Sequence, residues 1–311
     1  MTTATLLLAE RERIAALEAE AWSILATAIQ YQILASGHQV AGVVLLFSGG
    51  NDSTTLAHLF RHRATHAAHA NTGIGIEFTR QYVRDTCASW NLPLLERHPR
   101  KGETYEDLVL GRVRAKNPRS RKDGQPYPGG FPGPAMHFFV YQRLKERALE
   151  QVRRELVTNP RKQRVIFLAG RRADESERRK VLGKKNPIER RGSTVWVSPL
   201  VNWTKADLNA YRRIHPDVPH NEVSDLLHMS GECLCGAFAH PGELEEIEYW
   251  FPDVAAEIRD LEKQALKSLD PARVPAERCR WGWGAGKQKP SKVGALCSSC
   301  DARFEQLTPT T

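Results

Sequence analysis

The sequence has no apolar run long enough to cross a bilayer. Its longest, around Val43–Phe47, falls far short of the ~20 residues a spanning helix needs. No basic stretch precedes the apolar Leu6-Leu7-Leu8, and Glu10-Arg11-Glu12-Arg13 follows almost at once. A secretory signal is therefore not expected, and a cytoplasmic location is. Without a secretory route, the glycosylation pattern Asn51-Asp52-Ser53 is coincidence. Cysteine is sparse, six in 311 residues. In a reducing compartment such thiols point to metal or redox chemistry before disulfides. A Walker-type phosphate loop is missing: Gly282-Trp283-Gly284-Ala285-Gly286-Lys287 lacks the earlier glycine and has Gln288 where Ser or Thr is needed. There is no internal repeat.

What is present is ordinary in bulk and uneven in detail. Hydrophobic residues make up 41% and charged residues 26%, as in a globular chain able to bury a core and carry a smaller module. The net charge of +9 is concentrated. Arg143 to Arg191 holds 17 Lys/Arg and 7 Asp/Glu, so this block carries the whole excess. Such a block suits an anionic partner, nucleotide phosphates or nucleic acid, or else is a solvated helix face.

Hydrophobic spacing predicts a helix or helix pair over 6–34, with Leu7, Ile14, Leu17, Ala21, Ile24, Ala28 and Tyr31 on one side and Gly37 as its end. Val40–Phe47 reads as a strand covered on both faces. Helix and strand patterns then alternate: helix 52–63, strand 67–71, helix 77–90, strand 92–96, a helix from Tyr105, helix 136–156, strand 165–169, helix 174–182, strand 195–200, and helix 205–214 capped by Thr204. Between Arg112 and Pro134 lies a Pro-, Gly- and base-rich loop. The alternation predicts an α/β fold, a parallel sheet with helices on both faces. Three regions follow: a helical segment 1–37, a nucleotide-binding α/β domain 38–225, and a Cys-rich region 226–311 with an acidic helix 243–251.

Phe47-Ser48-Gly49-Gly50-Asn51-Asp52-Ser53 stands between the strongest early strand and a helix. Two glycines let backbone N–H groups approach an anion, and the following helix aims its unsatisfied amides and positive dipole end at the same place. Ser48 and Ser53 add hydroxyl donors. Asp52 would repel phosphate and is expected to hold a metal ion or the loop backbone. The bland alternative is a capped strand–helix turn.

Further motifs occur in an order that resembles a known family. The loop is similar to the PP-loop of ATP pyrophosphatases, and the chain resembles the branch containing PAPS (phosphoadenosine phosphosulfate) reductases. The residues that carry this are Asn71-Thr72-Gly73, Tyr141-Gln142-Arg143-Leu144-Lys145, Gly170-Arg171-Arg172-Ala173-Asp174-Glu175-Ser176-Glu177-Arg178-Arg179 and Pro199-Leu200-Val201-Asn202-Trp203-Thr204. The resemblance implies an adenine nucleotide α-hydrolase-like fold. It implies a nucleotide site from Phe47–Ser53, Asn71–Gly73, Lys145, Gly170, Arg172 and Glu175, with Asp52, Ser53, Arg172 and Arg179 at the chemistry. Arginine suits phosphates by its permanent charge and forked donors. Two departures stand out: Asn51 replaces the usual Lys, and no Glu-Cys-Gly segment precedes the end. The resemblance places the sulfonate-attacking thiol in that segment, so sulfonucleotide reduction is not the leading expectation. The chain looks more like the CysH/DndC-like proteins of phage and CRISPR type IV loci.

Cys233-Leu234-Cys235 and Cys297-Ser298-Ser299-Cys300 supply four thiols, with Cys279 as a substitute ligand. The set suits Zn²⁺ or an iron–sulfur cluster, or is a group of reduced structural thiols. Sulfur-trafficking relatives tilt the expectation to [4Fe–4S]. His228 and His240 are candidate additions and Cys87 a core residue. The expected function is cleavage of ATP, with Mg²⁺, to AMP and pyrophosphate, with possible transfer of the adenylyl group to an unidentified second substrate. The alternative is a nucleotide-dependent accessory that binds nucleic acid or a ribonucleoprotein through 143–191, and PAPS/APS reduction ranks third. No membrane partner is expected.

Overall fold

In a computed structural model of the chain, the described residues are 3–113, 127–175 and 186–285. Of the residues singled out from sequence, Ser176 to Arg179, Gly286, Lys287, Cys297 to Cys300 and most of the 112–134 loop lie outside them, as does the side chain of Glu175. The chain divides into two compact units. Among described residues the first takes 3–69, 78–96, 149–175 and 186–225, and the second 70–77, 97–113, 127–148 and 226–285. The first unit thus includes the N-terminal helix along with most of 38–225.

Apart from the expected helix 174–182, most of which lies outside the described residues, the elements follow the alternation read from sequence. They are α1 (Thr3–Gln32), β1 (Gln39–Leu46), α2 (Asn51–Phe60), β2 (His66–Ala70), α3 (Glu77–Ser89), β3 (Leu94–Arg97) and α4 (Tyr105–Val109), then α5 (His137–Tyr141) and α6 (Arg147–Leu156). After these come β4 (Gln163–Leu168), β5 (Ile188–Arg191), β6 (Thr194–Val197), α7 (Lys205–Ile214), α8 (Glu222–Leu227), α9 (Glu243–Trp250) and α10 (Pro252–Ser268). Helix 136–156 is one path in three pieces, α5 and α6 being joined by a π turn, Gln142–Glu146. Sequence reading missed α8, α10 and β5. The last was legible, because Gly192-Ser193 links β5 to β6 as a two-residue hairpin with Gly192 at φ 59°.

The fold is α/β, built on a six-stranded sheet in the order β3-β2-β1-β4-β6-β5. β1 pairs in parallel with β2 and β4, β4 in parallel with β6, and β5 is antiparallel to β6. The chain moves outward from β1 in one direction and then, with β4, in the other. The strand order therefore reverses between β1 and β4, where open α/β sheets hold ligands beyond the strands' carboxyl ends.

Burial on both faces explains the continuous apolar strands. On one face Val43, Leu45, Phe47, Ile166, Leu168, Val195 and Val197 form a core with α1, α2 and α7. On the other, Val44, Leu46, Phe167 and Trp196 are also buried, and a Cβ at Gly42 would lie 3.5 Å from Leu156 of α6.

α1 is one helix, and its buried stripe is Ile14, Leu17, Ala21, Leu25 and Ala28. Leu7 and Tyr31, expected on that side, are 54% and 68% exposed, and Leu25 is buried where Ile24 was expected. Polar ties fix α1: Arg13 donates to both Asp207 oxygens at 2.6 and 2.9 Å, Glu18 meets His215 at 2.8 Å, and Asn202 donates to Glu20 at 2.6 Å. Asp207 also completes the capping box of α7, accepting from the Thr204 amide at 2.8 Å. No helix among the described residues is long and apolar enough to cross a membrane.

Asp207→Ala removes the reciprocal cap and the Arg13 pair together. It is expected to lower unfolding free energy by about 1–3 kcal/mol, read as a drop in urea midpoint at unchanged m-value.

Candidate functional site: the loop after β1

β1 ends at Leu46, and Phe47 extends its pairing by donating its amide to Ala68 O at 2.9 Å. Alternation turns the Phe47 ring into the core, where it meets Tyr82 and Trp90, and His69 holds its carbonyl at 2.8 Å. Phe47 therefore frames the loop from below and presents no side chain at its mouth.

Gly49 has φ 78°, which favours glycine, and a Cβ there would lie 2.7 Å from Thr79 Cγ2. Gly50 is the N-cap of α2 and supplies no side-chain cap. The first amides of α2 have no intrahelical acceptor, which leaves a set of N–H donors at the helix's positive end. The hydroxyls are used differently from expectation. Ser53 Oγ donates to Gly50 O at 2.9 Å, accepts from the Ser48 amide at 3.3 Å and lies 3.2 Å from Ser48 Oγ. Both serines thus brace the loop from inside, and the outward donors are backbone amides.

The loop after β4 comes close to it. A Cβ at Gly170 would stand 3.0 Å from the backbone of Asp52 and 3.2 Å from Ser53 N, so only glycine fits without a shift. Two residues on, the Arg172 side chain is 9% exposed and its Nε donates to Asp52 Oδ1 at 3.1 Å, with Asp174 3.8 Å from it. Sequence reading gave Asp52 a metal or the loop backbone to hold. In the structure it holds Arg172, and it thereby aims a permanent positive charge beside the α2 N-terminus. Arg171 donates to Ser198 Oγ at 2.8 Å. Glu175 closes a short 3-10 turn, Ala173–Glu175.

Behind α2 sits a polar cluster that sequence reading missed. His58 is 3% exposed and bridges Tyr211 OH at 2.8 Å and Asp217 Oδ2 at 2.9 Å. Burial pushes the His58 pKa down, against the upward pull of Asp217. The His58 contact in turn holds the Asp217 carboxyl below the usual range.

Asn71–Gly73 and Lys145, assigned to the nucleotide site from sequence, belong to the second unit. There the Thr72 amide donates to Glu232 Oε1 at 2.7 Å and the Thr72 hydroxyl to Glu232 O at 2.6 Å, while Gly73 N donates to Asn71 Oδ1 at 3.1 Å. Glu232 is 1% exposed, so the segment before Cys233 is fastened to Thr72 by buried polar bonds. The Cys235 contact, helped by the Lys145 ammonium, holds the Cys233 thiol toward thiolate. Burial pushes the Cys279 thiol up. Among the described residues no three His, Cys, Asp or Glu side chains form a group that would hold a metal ion. The described part of the set therefore offers two neighbouring soft donors, Cys233 and Cys235. His240 instead faces Glu243 and Glu246 at 3.5 and 3.6 Å.

No family model matches the chain, and no curated protein does. Solved structures do. The PAPS reductase of Candida auris in a phosphate complex is 17% identical over 69% of this chain and 91% of its own, with a TM-score of 0.43. The FMN adenylyltransferase of Candida glabrata with FAD and pyrophosphate is 12% identical over 69% of this chain, spans only 62% of its own length, and scores 0.42. The U34-tRNA thiolase NcsA of Methanococcus maripaludis with its [4Fe-4S] cluster is 10% identical over 96% of this chain and 90% of its own, at 0.39. These are similarities of low superposition score and assign no activity.

Gly49→Ala combines left-handed strain with a side-chain clash, whereas at Gly37, φ 74°, a Cβ meets nothing within 4 Å. Gly37→Ala is expected to cost about 1 kcal/mol and Gly49→Ala clearly more, compared by urea denaturation. The pH effect of His58 has a definite sign. Its pKa is lower folded than unfolded, so its contribution is complete above the ordinary value of 6.5 and fades as pH falls below it. The urea midpoint should drop between pH 7 and 5, and drop less steeply in His58→Gln.

Proposed function

We propose that the first unit binds the phosphates of ATP on the Ser48–Ser53 loop and cleaves the bond between the α phosphorus and the oxygen leading to the β phosphate. The observation that carries this reading is the buried Arg172, set by Asp52 at 3.1 Å beside the N-terminus of α2 where the strand order reverses. A helix N-terminus alone is a general anion site. A permanent cation fixed next to it, in a loop that glycines bring to backbone contact, suits a polyphosphate.

The chemistry follows from placement. The loop amides take the phosphate oxygens, and Arg172 stabilises the charge that builds on the departing pyrophosphate, while Arg179, outside the described residues, is a second cation by the resemblance alone. Mg²⁺ carried on the phosphates would lower their charge. The α phosphorus passes to water, giving AMP, or to an oxygen of a second substrate, giving an adenylylated product. Asp52 is a positioning residue for Arg172 in this scheme, and Ser53 for the loop backbone. Cys233 and Cys235 fit two thiolate positions of a [4Fe–4S] cluster or Zn²⁺, with Cys297 and Cys300 as the expected others, and their role is separate from the hydrolytic step.

Incubation with ATP labelled at the α phosphate should give labelled AMP and unlabelled pyrophosphate. Arg172→Ala should slow this by roughly 100-fold, and Arg172→Lys should restore little, because a point charge does not reproduce the fork. ADP with phosphate as the main products would refute the assignment. Iron and zinc analysis of anaerobically purified protein tests the cysteine site: metal should be present and fall in Cys233→Ser.

A further inference from the structure

The carbonyl of Gly49 is held from one side by two side chains outside any motif read from the sequence. Asn221 Nδ2 donates to it at 2.8 Å and Ser224 Oγ at 3.3 Å. Both side chains are 3% exposed. Asn221 Nδ2 also meets Thr79 Oγ1 at 3.2 Å, and its Oδ1 accepts from Val223 N at 3.2 Å, so both ends of the amide are committed. The segment bearing Asn221 is itself tied down. Asp217 bonds His58, and Pro219 O accepts from Tyr82 OH at 3.3 Å and from Arg212 at 3.5 Å. Tyr82 OH in turn meets Thr54 Oγ1 of α2 at 3.1 Å.

A trans peptide sets its C=O and N–H in opposite directions. Fixing Gly49 O against Asn221 and Ser224 therefore turns the Gly50 N–H away from them, and it does so at a glycine whose φ of 78° leaves other peptide orientations open. We infer that Asn221, seconded by Ser224, is a positioning residue that locks the Gly49–Gly50 peptide with its N–H toward the bound phosphate. This rests on the reading of the loop as a phosphate site. Neither side chain touches the ligand. Their part is preorganisation, which spares the anion from having to turn the peptide itself.

The test is binding of inorganic pyrophosphate to the full chain by calorimetry, alongside the melting temperature of the free protein. Asn221→Asp keeps the acceptor that caps α8 but loses the donor. Asn221→Ala loses both and adds no charge. Both are expected to weaken pyrophosphate binding about tenfold, the loss of one hydrogen bond's orientation. A loss in Asn221→Asp alone would trace to charge, and a loss in Asn221→Ala alone to the cap, and either overturns the inference. Lower melting temperature with unchanged pyrophosphate affinity means a structural role only and also overturns it. If neither Asn221 variant folds, Ser224→Ala decides, with an expected weakening of roughly two- to threefold against none. Unchanged affinity in variants of a wild type that binds sinks this inference alone. A wild type that binds neither pyrophosphate nor ATP sinks the nucleotide reading, and this inference with it.

Discussion

The parallel pairing of β1 with β4 is the constraint on which the loop, the arginine and the site between them depend. Register places Leu45 opposite Leu168, so the two strands end side by side and their following loops start as neighbours. From there Gly170 can approach the Asp52 backbone, and Arg172 can reach the Asp52 carboxylate, across 120 residues of sequence. The strands pair because each is apolar on both faces, and helices on both sides supply the burial that this needs.

Charge acts locally in this chain. The excess of the basic block suggested a broad anionic partner, and among its described residues five arginines make short-range contacts. Arg153 and Arg154 both meet Glu150, Arg191 meets Glu189, Arg147 meets Glu103, and the Arg143 guanidinium lies 3.3 Å over the Phe139 ring centroid. The exposed pairs among these add little to stability, and Glu150 and Glu189 are already counted in the block's excess. Arg172 differs in its place: it is buried beside the N-terminus of α2, between the Asp52 and Asp174 carboxylates at 3.1 and 3.8 Å.

Much of the architecture was legible in the sequence, because the signals were dense and local. Residues 43–53 carry an apolar run, two glycines and two hydroxyls in eleven positions, and Thr204 caps its helix as its position suggested. What escaped was long-range pairing. Nothing local tells that Asp52 meets Arg172, that Asn221 grips Gly49, or that Thr72 fastens to Glu232. Such contacts depend on which strand ends come together, and periodicity does not encode that. One misplacement was avoidable: Phe47 continues the parity of Val43 and Leu45, which already turned its ring into the core.

The central claim is that backbone amides of one short loop take the phosphates. Amide chemical shifts followed during titration with pyrophosphate test it most directly, since each N–H reports on its own hydrogen bond. The largest shifts should fall on Gly49, Gly50, Asn51, Asp52 and Ser53, with the Arg172 guanidinium moving with them. Saturable shifts confined to other residues, with this loop unmoved, would contradict the account.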